Sequence, residues 1–176
     1  MDELRATRDL LADDRLTVMG LVLETQAGLR ALVEADLAGH DVTPSAFDVL
    51  IRLARSPGHR LRMTELATQT TLSNSGLTRV VDRLLEAGCV ERVRDREDRR
   101  VWWAVLSPSG LARVIAVLPG HLESIDGAIT SVLDPDELEA FASALRKVRA
   151  AVRPDADPAS AGLAGDKADG IDAAAI

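Results

Sequence analysis

The 176-residue chain has one cysteine, no tyrosine and only four aromatic residues, Phe47, Trp102, Trp103 and Phe141. A single thiol excludes an intramolecular disulfide and a cysteine-based zinc cluster, and it suits a reducing compartment. The shortage of aromatics argues against a β-sandwich or barrel, whose half-buried strands are rich in them. No uninterrupted apolar run approaches the roughly 18 residues of a bilayer span. Met1-Asp2-Glu3-Leu4-Arg5 carries acids where a secretory signal carries a basic segment. The expectation is a cytoplasmic chain with no membrane partner. Positive charge is also scarce: 21 Lys and Arg stand against 28 Asp and Glu, a net charge of −7, and taken alone that sign opposes nucleic acid as a partner. Catalytic signatures are missing too. Ser107-Pro108-Ser109-Gly110 is not a nucleophile elbow, no glycine-rich phosphate loop occurs, and His40, His59 and His121 are too dispersed for a metal site. No enzyme activity, metal or cofactor is expected.

What the chain does have is Leu, Ala and Val in helical spacing. From about Leu4 to Leu37 no proline interrupts, and Leu11, Val18, Leu21, Val22, Leu29, Leu32, Val33 and Leu37 recur at intervals of three, four and seven. This predicts a long amphipathic helix weakened near Gly20. Thr43-Pro44 supplies a cap and a first-turn proline for a second helix through Phe47, Leu50, Ile51 and Ala54. Around Leu61 a brief strand is possible by pattern; Thr64 then caps a short helix from Glu65 to about Gln69, and Ser73 caps another that Gly88 stops. Two β-type stretches, Cys89 to Val93 and Val101 to Leu106, flank the charged run Arg94-Asp95-Arg96-Glu97-Asp98-Arg99-Arg100 and read as a hairpin. Ser107-Pro108 starts a further helix, which Pro119-Gly120 should kink or break before the helical pattern resumes to about Val132. Asp134-Pro135 starts the last helix. Beyond Pro154 the composition is that of a disordered acidic tail, expected to be dispensable for folding.

Charge is distributed unevenly. Residues 1–40 carry −4 and residues 154–176 another −4, while residues 60–100 hold nine arginines against seven acids, a net of +2. The middle of the chain is therefore basic, and the objection to nucleic acid weakens. A short helix, a tight turn and a second helix with a polar outer face suit the major groove, which admits one α-helix and presents donors and acceptors. Spacing residues 100° apart on the helix after Ser73 gathers Leu77, Val80, Val81 and Leu84 on one side. Ser75, Thr78, Arg79, Asp82, Arg83 and Glu86 fall on the other. The arginine-rich hairpin that follows suits an adjacent narrow groove.

At the level of motifs, residues 43–110 resemble the multiple-antibiotic-resistance regulator (MarR) family of winged helix-turn-helix proteins. The resemblance rests on Thr43-Pro44 with Phe47-Asp48-Val49-Leu50, on Ser73-Asn74-Ser75-Gly76-Leu77-Thr78-Arg79-Val80-Val81-Asp82-Arg83-Leu84, and on Ala87-Gly88-Cys89-Val90-Glu91-Arg92. It rests also on Asp98-Arg99-Arg100 followed at the family's spacing by Leu106-Ser107. It implies a mainly α fold with a small β-wing: a winged helix-turn-helix domain flanked by N- and C-terminal dimerisation helices. The corresponding boundaries are 1–40, 41–107, 108–153 and the tail 154–176. It further implies a homodimeric transcriptional repressor that binds a pseudo-palindromic promoter site in double-stranded DNA and is released by a small effector, such as a phenolic or aromatic acid. Carried over residue by residue, Ser73, Asn74, Ser75, Thr78 and Arg79 enter the major groove with Arg83 near phosphates. Arg100 sits at the minor groove, oriented by Asp98, with Arg99 on the backbone. Phe47, Asp48 and His121 are candidates for the effector cleft, though Asp48 also suits a plain ion pair. The alternative is a helical homodimer that contacts protein or sequesters ligand without binding DNA.

Trp102 and Trp103 depart from the resemblance, being bulkier than the aliphatic pair expected there. On a strand they point to opposite faces, so one packs and the other is partly exposed. Cys89 falls where an aliphatic residue is usual, and its expected role is that of a small buried hydrophobe rather than a redox sensor.

Overall fold

A computed structural model describes residues 7, 8 and 10–154. The main elements are helix α1 (Asp14–Asp36), α2 (Pro44–Ala54), strand β1 (Arg60–Arg62), α3 (Met63–Gln69), α4 (Asn74–Glu86), β2 (Val90–Arg94), β3 (Trp102–Leu106), α5 (Pro108–Ile125) and α6 (Pro135–Val152). A π-helical turn, Asp126–Thr130, follows α5. The fold is mainly helical with one antiparallel sheet in the order β1-β3-β2.

Local chemistry sets most boundaries. Thr43, Ser73, Ser107 and Asp134 each accept a hydrogen bond from a backbone N–H of the first turn they precede, and three of these helices begin with proline. Gly88 takes a left-handed φ of 67° that ends α4 and turns the chain into β2.

Several expectations are corrected. The first helix does not weaken at Gly20. The break falls at Asp13, whose carboxylate accepts from the Arg15 backbone N–H and restarts the helix at Asp14; the predicted start at Leu4 lies outside the described residues. In α1 the apolar residues Val18, Met19, Leu21, Val22 and Leu23 lie on several sides rather than one stripe. By length and composition this helix is also apolar enough to cross a bilayer, although Glu24 and Arg30 interrupt its apolar run. Its C-terminal end, however, is fixed to α5 through Asp36. Helix α3 begins at Met63, not at Glu65. Its N-cap is Arg62, whose backbone N–H donates to Glu65 Oε2 at 2.9 Å, so Thr64 lies inside the helix. Pro119 does not break α5. It and Ile115, whose carbonyl loses the bond a proline cannot donate, both lie on the exposed side of the helix. Residues 155–176 of the predicted tail lie outside the described residues.

The core sits under the sheet. Phe47, Val49, Leu50 and Leu53 of α2 meet Leu61, Leu66, Leu77, Val81, Leu84, Val90, Ala104 and Leu106, with Val114 and Val117 of α5 closing one side. Cys89 is fully buried there, as expected. Helix α2 is buried more widely than its predicted single face, because Val49 and Leu53 are as inaccessible as Leu50.

Candidate nucleic-acid interface

Helix α4 is held by its apolar face and presents the other. Leu77, Val81 and Leu84 are buried, while Asn74, Ser75, Thr78, Arg79 and Arg83 are exposed. Ser73 Oγ accepts from the Gly76 N–H at 3.1 Å and lies 3.3 Å from Ser75 Oγ; Thr78 Oγ1 donates to the Asn74 carbonyl at 3.0 Å. The helix therefore starts on a cluster of hydroxyls. Among the described residues, Arg79 and Arg83 have no carboxylate partner, leaving both guanidinium groups available to bases or phosphates. Asp82 stays half exposed and accepts from Arg92 at 3.2 Å, which ties α4 to β2.

The hairpin tip is organised by Asp95, a residue for which the sequence analysis found no role. Its Oδ1 accepts from the backbone N–H groups of Glu97 and Asp98, and its Oδ2 accepts from Trp103 Nε1 at 2.7 Å. These bonds, the indole one foremost, pull the Asp95 carboxyl down to a pKa of about 2. An aspartate followed by polar turn residues was the available signal, since such side chains bond to amides two and three residues on. Asp98 then closes the turn. Its Oδ1 accepts from the backbone N–H of Arg100 at 2.9 Å, so it shapes the main chain rather than orienting the Arg100 guanidinium, as the resemblance implied. Arg99 and Arg100 are left exposed at the tip.

The two tryptophans are separated by the strand's alternation. Trp103 lies on the outer face, half-buried, with the guanidinium groups of Arg60 and Arg62 at 4.7 and 5.2 Å from its ring. Trp102 lies on the other face, 37% exposed, with the Arg94 guanidinium 4.7 Å from its ring. Together with Met63, Thr64, Thr78, Arg92 and Arg100, Trp102 lines a cleft of about 450 Å³ between α4 and the hairpin.

The effector candidates do not all meet. Phe47 and His121 do, edge to face at 5.3 Å between ring centroids. His121 Nδ1 is 2.6 Å from Asp36 Oδ2, and Ser124 Oγ donates to Asp36 Oδ1 at 2.6 Å. Burial works against ionisation of Asp36, but the hydrogen bonds from His121 and Ser124 outweigh it and hold the carboxyl below its ordinary value. Asp48 points elsewhere and pairs with Arg52 at 2.8 Å. His59 is also committed, its Nδ1 lying 2.9 Å from the Ala54 carbonyl oxygen. Among the described residues no cluster of His, Cys, Asp and Glu is arranged to hold a metal ion.

A short helix, a turn, an exposed second helix and an arginine-tipped hairpin on one core define a winged helix-turn-helix DNA-binding domain. Comparison with known proteins agrees. The sequence pattern of the MarR family matches residues 40–101. The chain is similar to the transcriptional repressor YetL of Bacillus subtilis, 31% identical over 106 residues, a match covering 60% of this chain and 64% of that one. It thus spans slightly less than two thirds of that relative. Among solved structures it is similar to AbsC, a MarR family transcriptional regulator from Streptomyces coelicolor, with 31% identity, a TM-score of 0.75, and coverage of 81% of this chain and 96% of that one. It is also similar to Sco3205 from the same organism, solved in complex with DNA, with 28% identity, a TM-score of 0.73, and coverage of 79% and 88%. The chain belongs to the MarR family of transcriptional regulators.

Proposed function

We propose that this protein is a homodimeric repressor that binds a pseudo-palindromic promoter site and is released by a small aromatic or lipophilic effector. The observation that carries this reading is the placement, on one rigid lobe, of Ser75, Thr78 and unpaired Arg79 on α4 beside the exposed Arg99 and Arg100 of the wing. Small hydroxyls and a forked cation suit base edges, while the wing arginines suit backbone and minor groove. Two such lobes are needed for a palindrome, and the apolar flanks of α1 and α6 supply a surface for pairing two copies. The similarity to YetL, named as a repressor, and to a DNA-bound structure of Sco3205 supports the direction of the reading. The junction where Phe47 of α2 meets His121 of α5 and Asp36 of α1 lies between the lobe and the flanking helices. An effector wedged there changes the spacing of the two recognition helices.

Binding-site selection from random duplexes, followed by gel shift against salt, tests the proposal. Affinity should fall as salt rises because phosphate contacts release counterions. Arg79→Ala should relax preference at particular base pairs, whereas Arg99→Ala should weaken all sequences alike. A pure dimer that selects no duplex and shifts no promoter DNA at low salt would overturn the reading.

A further inference from the structure

Adjacent tryptophans on one wing strand are put to different uses. Trp103 is fully committed: its indole N–H donates to Asp95, and two guanidinium groups cover its ring. Trp102 makes no such hydrogen bond among the described residues, although its ring is large and its face of the strand leads to α4. Its register partner on β2 is Arg94, whose guanidinium lies on the ring and has no carboxylate partner among the described residues. Thr78 of the recognition helix and Arg100 of the wing line the same cleft as Trp102. A duplex engaged by Thr78 and Arg100 together must pass the mouth of this cleft.

We propose that Trp102 and Arg94 form an additional DNA contact between the recognition helix and the wing tip. The indole packs against a deoxyribose of the backbone and holds the Arg94 guanidinium flat, so that its outward N–H edge meets a phosphate. Stacking fixes the orientation of a long side chain before DNA arrives and lowers the entropy lost on binding. The contact is to the backbone, so it adds affinity and register rather than base preference. Arg94 touches DNA directly, and Trp102 both touches the sugar and positions Arg94.

This inference rests on the DNA-binding reading, and its test keeps the two apart. Binding of the duplex recovered by selection is followed by the anisotropy of a labelled DNA end and, in parallel, by intrinsic tryptophan emission. Wild-type emission should change on saturation, and Trp102→Phe, which retains Trp103, should lose that change. Arg94→Ala should weaken binding roughly fivefold and reduce the slope of log affinity against log salt by about one. Trp102→Ala should give a similar loss, Trp102→Phe a smaller one, and Trp102→Ala with Arg94→Ala little more than either alone. DNA binding by anisotropy with no emission change in the wild type, or with the change intact in Trp102→Phe, overturns the contact while leaving the repressor reading standing. An unchanged salt slope in Arg94→Ala overturns the phosphate assignment. Failure of the wild type to bind any duplex overturns both.

Discussion

The winged lobe and the helices flanking it solve the burial problem differently. Among the described residues, 41–107 contain almost all of the buried apolar side chains, and only Leu37, Val114 and Val117 come from outside. Helices α1 and α6 bury no residue. They leave Leu16, Val18, Met19, Leu21, Val22 and Leu23 exposed on one, and Leu145, Val148 and Val152 on the other. Burying a Leu or Val side chain contributes about 1.5–3 kcal/mol, so the lobe holds its own stabilisation while the flanks hold theirs in reserve. A helix apolar on several sides is a buried helix. In α1 the missing cover is, on the reading proposed above, a second copy of the chain.

The largest effect should follow from spoiling that cover. On that reading Leu21→Glu would place a carboxylate in an apolar seam, at a cost of about 3 kcal/mol or more counted once from each copy. Sedimentation velocity should show a monomer and DNA affinity should fall by about a hundredfold or more, with the helical circular dichroism of the lobe retained. An unchanged dimer would move the interface away from α1.

The converse experiment strikes the lobe. An added Cβ at Gly110 would lie 2.1 Å from the Cys89 carbonyl oxygen and 2.8 Å from Leu106 Cδ1. The first turn of α5 thus touches the start of β2 at a point where any side chain displaces backbone. Gly110→Ala should cost about 3 kcal/mol in urea denaturation at fixed protein concentration. Gly120→Ala, in the outer half of α5 with nothing within 4 Å, should be neutral or stabilise by about 0.5–1 kcal/mol. Equal effects at the two glycines would show that the lobe is not the more tightly packed region.

How much of this was legible in the sequence also divides by region. In the lobe, caps such as Ser73 and Ser107 and the apolar spacing of Leu77, Val81 and Leu84 act over three or four residues, so local chemistry located α4 and the hairpin nearly to the residue. The exposed polar face of α4 followed directly, because it is simply the side that the core does not take. The errors fell where distant groups decide. Asp95 and Trp103 meet across the hairpin, and Arg60 joins them from a strand more than thirty residues away in the chain. Of the kink or break that propensity suggests at Pro119, the break does not occur, because that side of α5 is exposed and leaves room for the ring. His121 and Asp48 were equally good effector candidates by residue type. Only the packing of α1 against α5 sends His121 to Asp36, while a partner one turn away claims Asp48.

A smaller effect should appear at the junction of the two regions. Asp36 ends α1, where a negative charge opposes the helix dipole, and His121 and Ser124 compensate from α5. Asp36→Ala should cost about 1–2 kcal/mol, since it leaves two half-buried polar groups without their acceptor. The folded carboxyl titrates below its ordinary value. Its stabilisation is therefore complete above the unfolded pKa of about 3.9 and is lost as pH falls through the folded value. Thermal melts should show a sharper loss of stability on acidification in the wild type than in Asp36→Ala. Parallel pH profiles would mean that Asp36 does not couple α1 to α5.

The smallest effect is confined to the wing tip, where one carboxylate orders the turn. Asp95 is half-buried at the tip, where its carboxylate holds the turn closed. With the folded pKa near 2 and the unfolded value near about 3.9, the carboxylate stays charged and the tip stays closed throughout the neutral and mildly acid range. The bonds to Trp103 Nε1 and to the Glu97 and Asp98 amides weaken only as pH approaches 2. The Trp103 indole N–H resonance in NMR should hold its position down to about pH 4 and then shift with a midpoint near 2. In Asp95→Ala it should sit at the acid-limit position at every pH, with amide protection at 97 and 98 reduced. A Trp103 resonance that titrates near pH 4 would place Asp95 in free solution, and the ordered presentation of Arg99 and Arg100 would then need another cause.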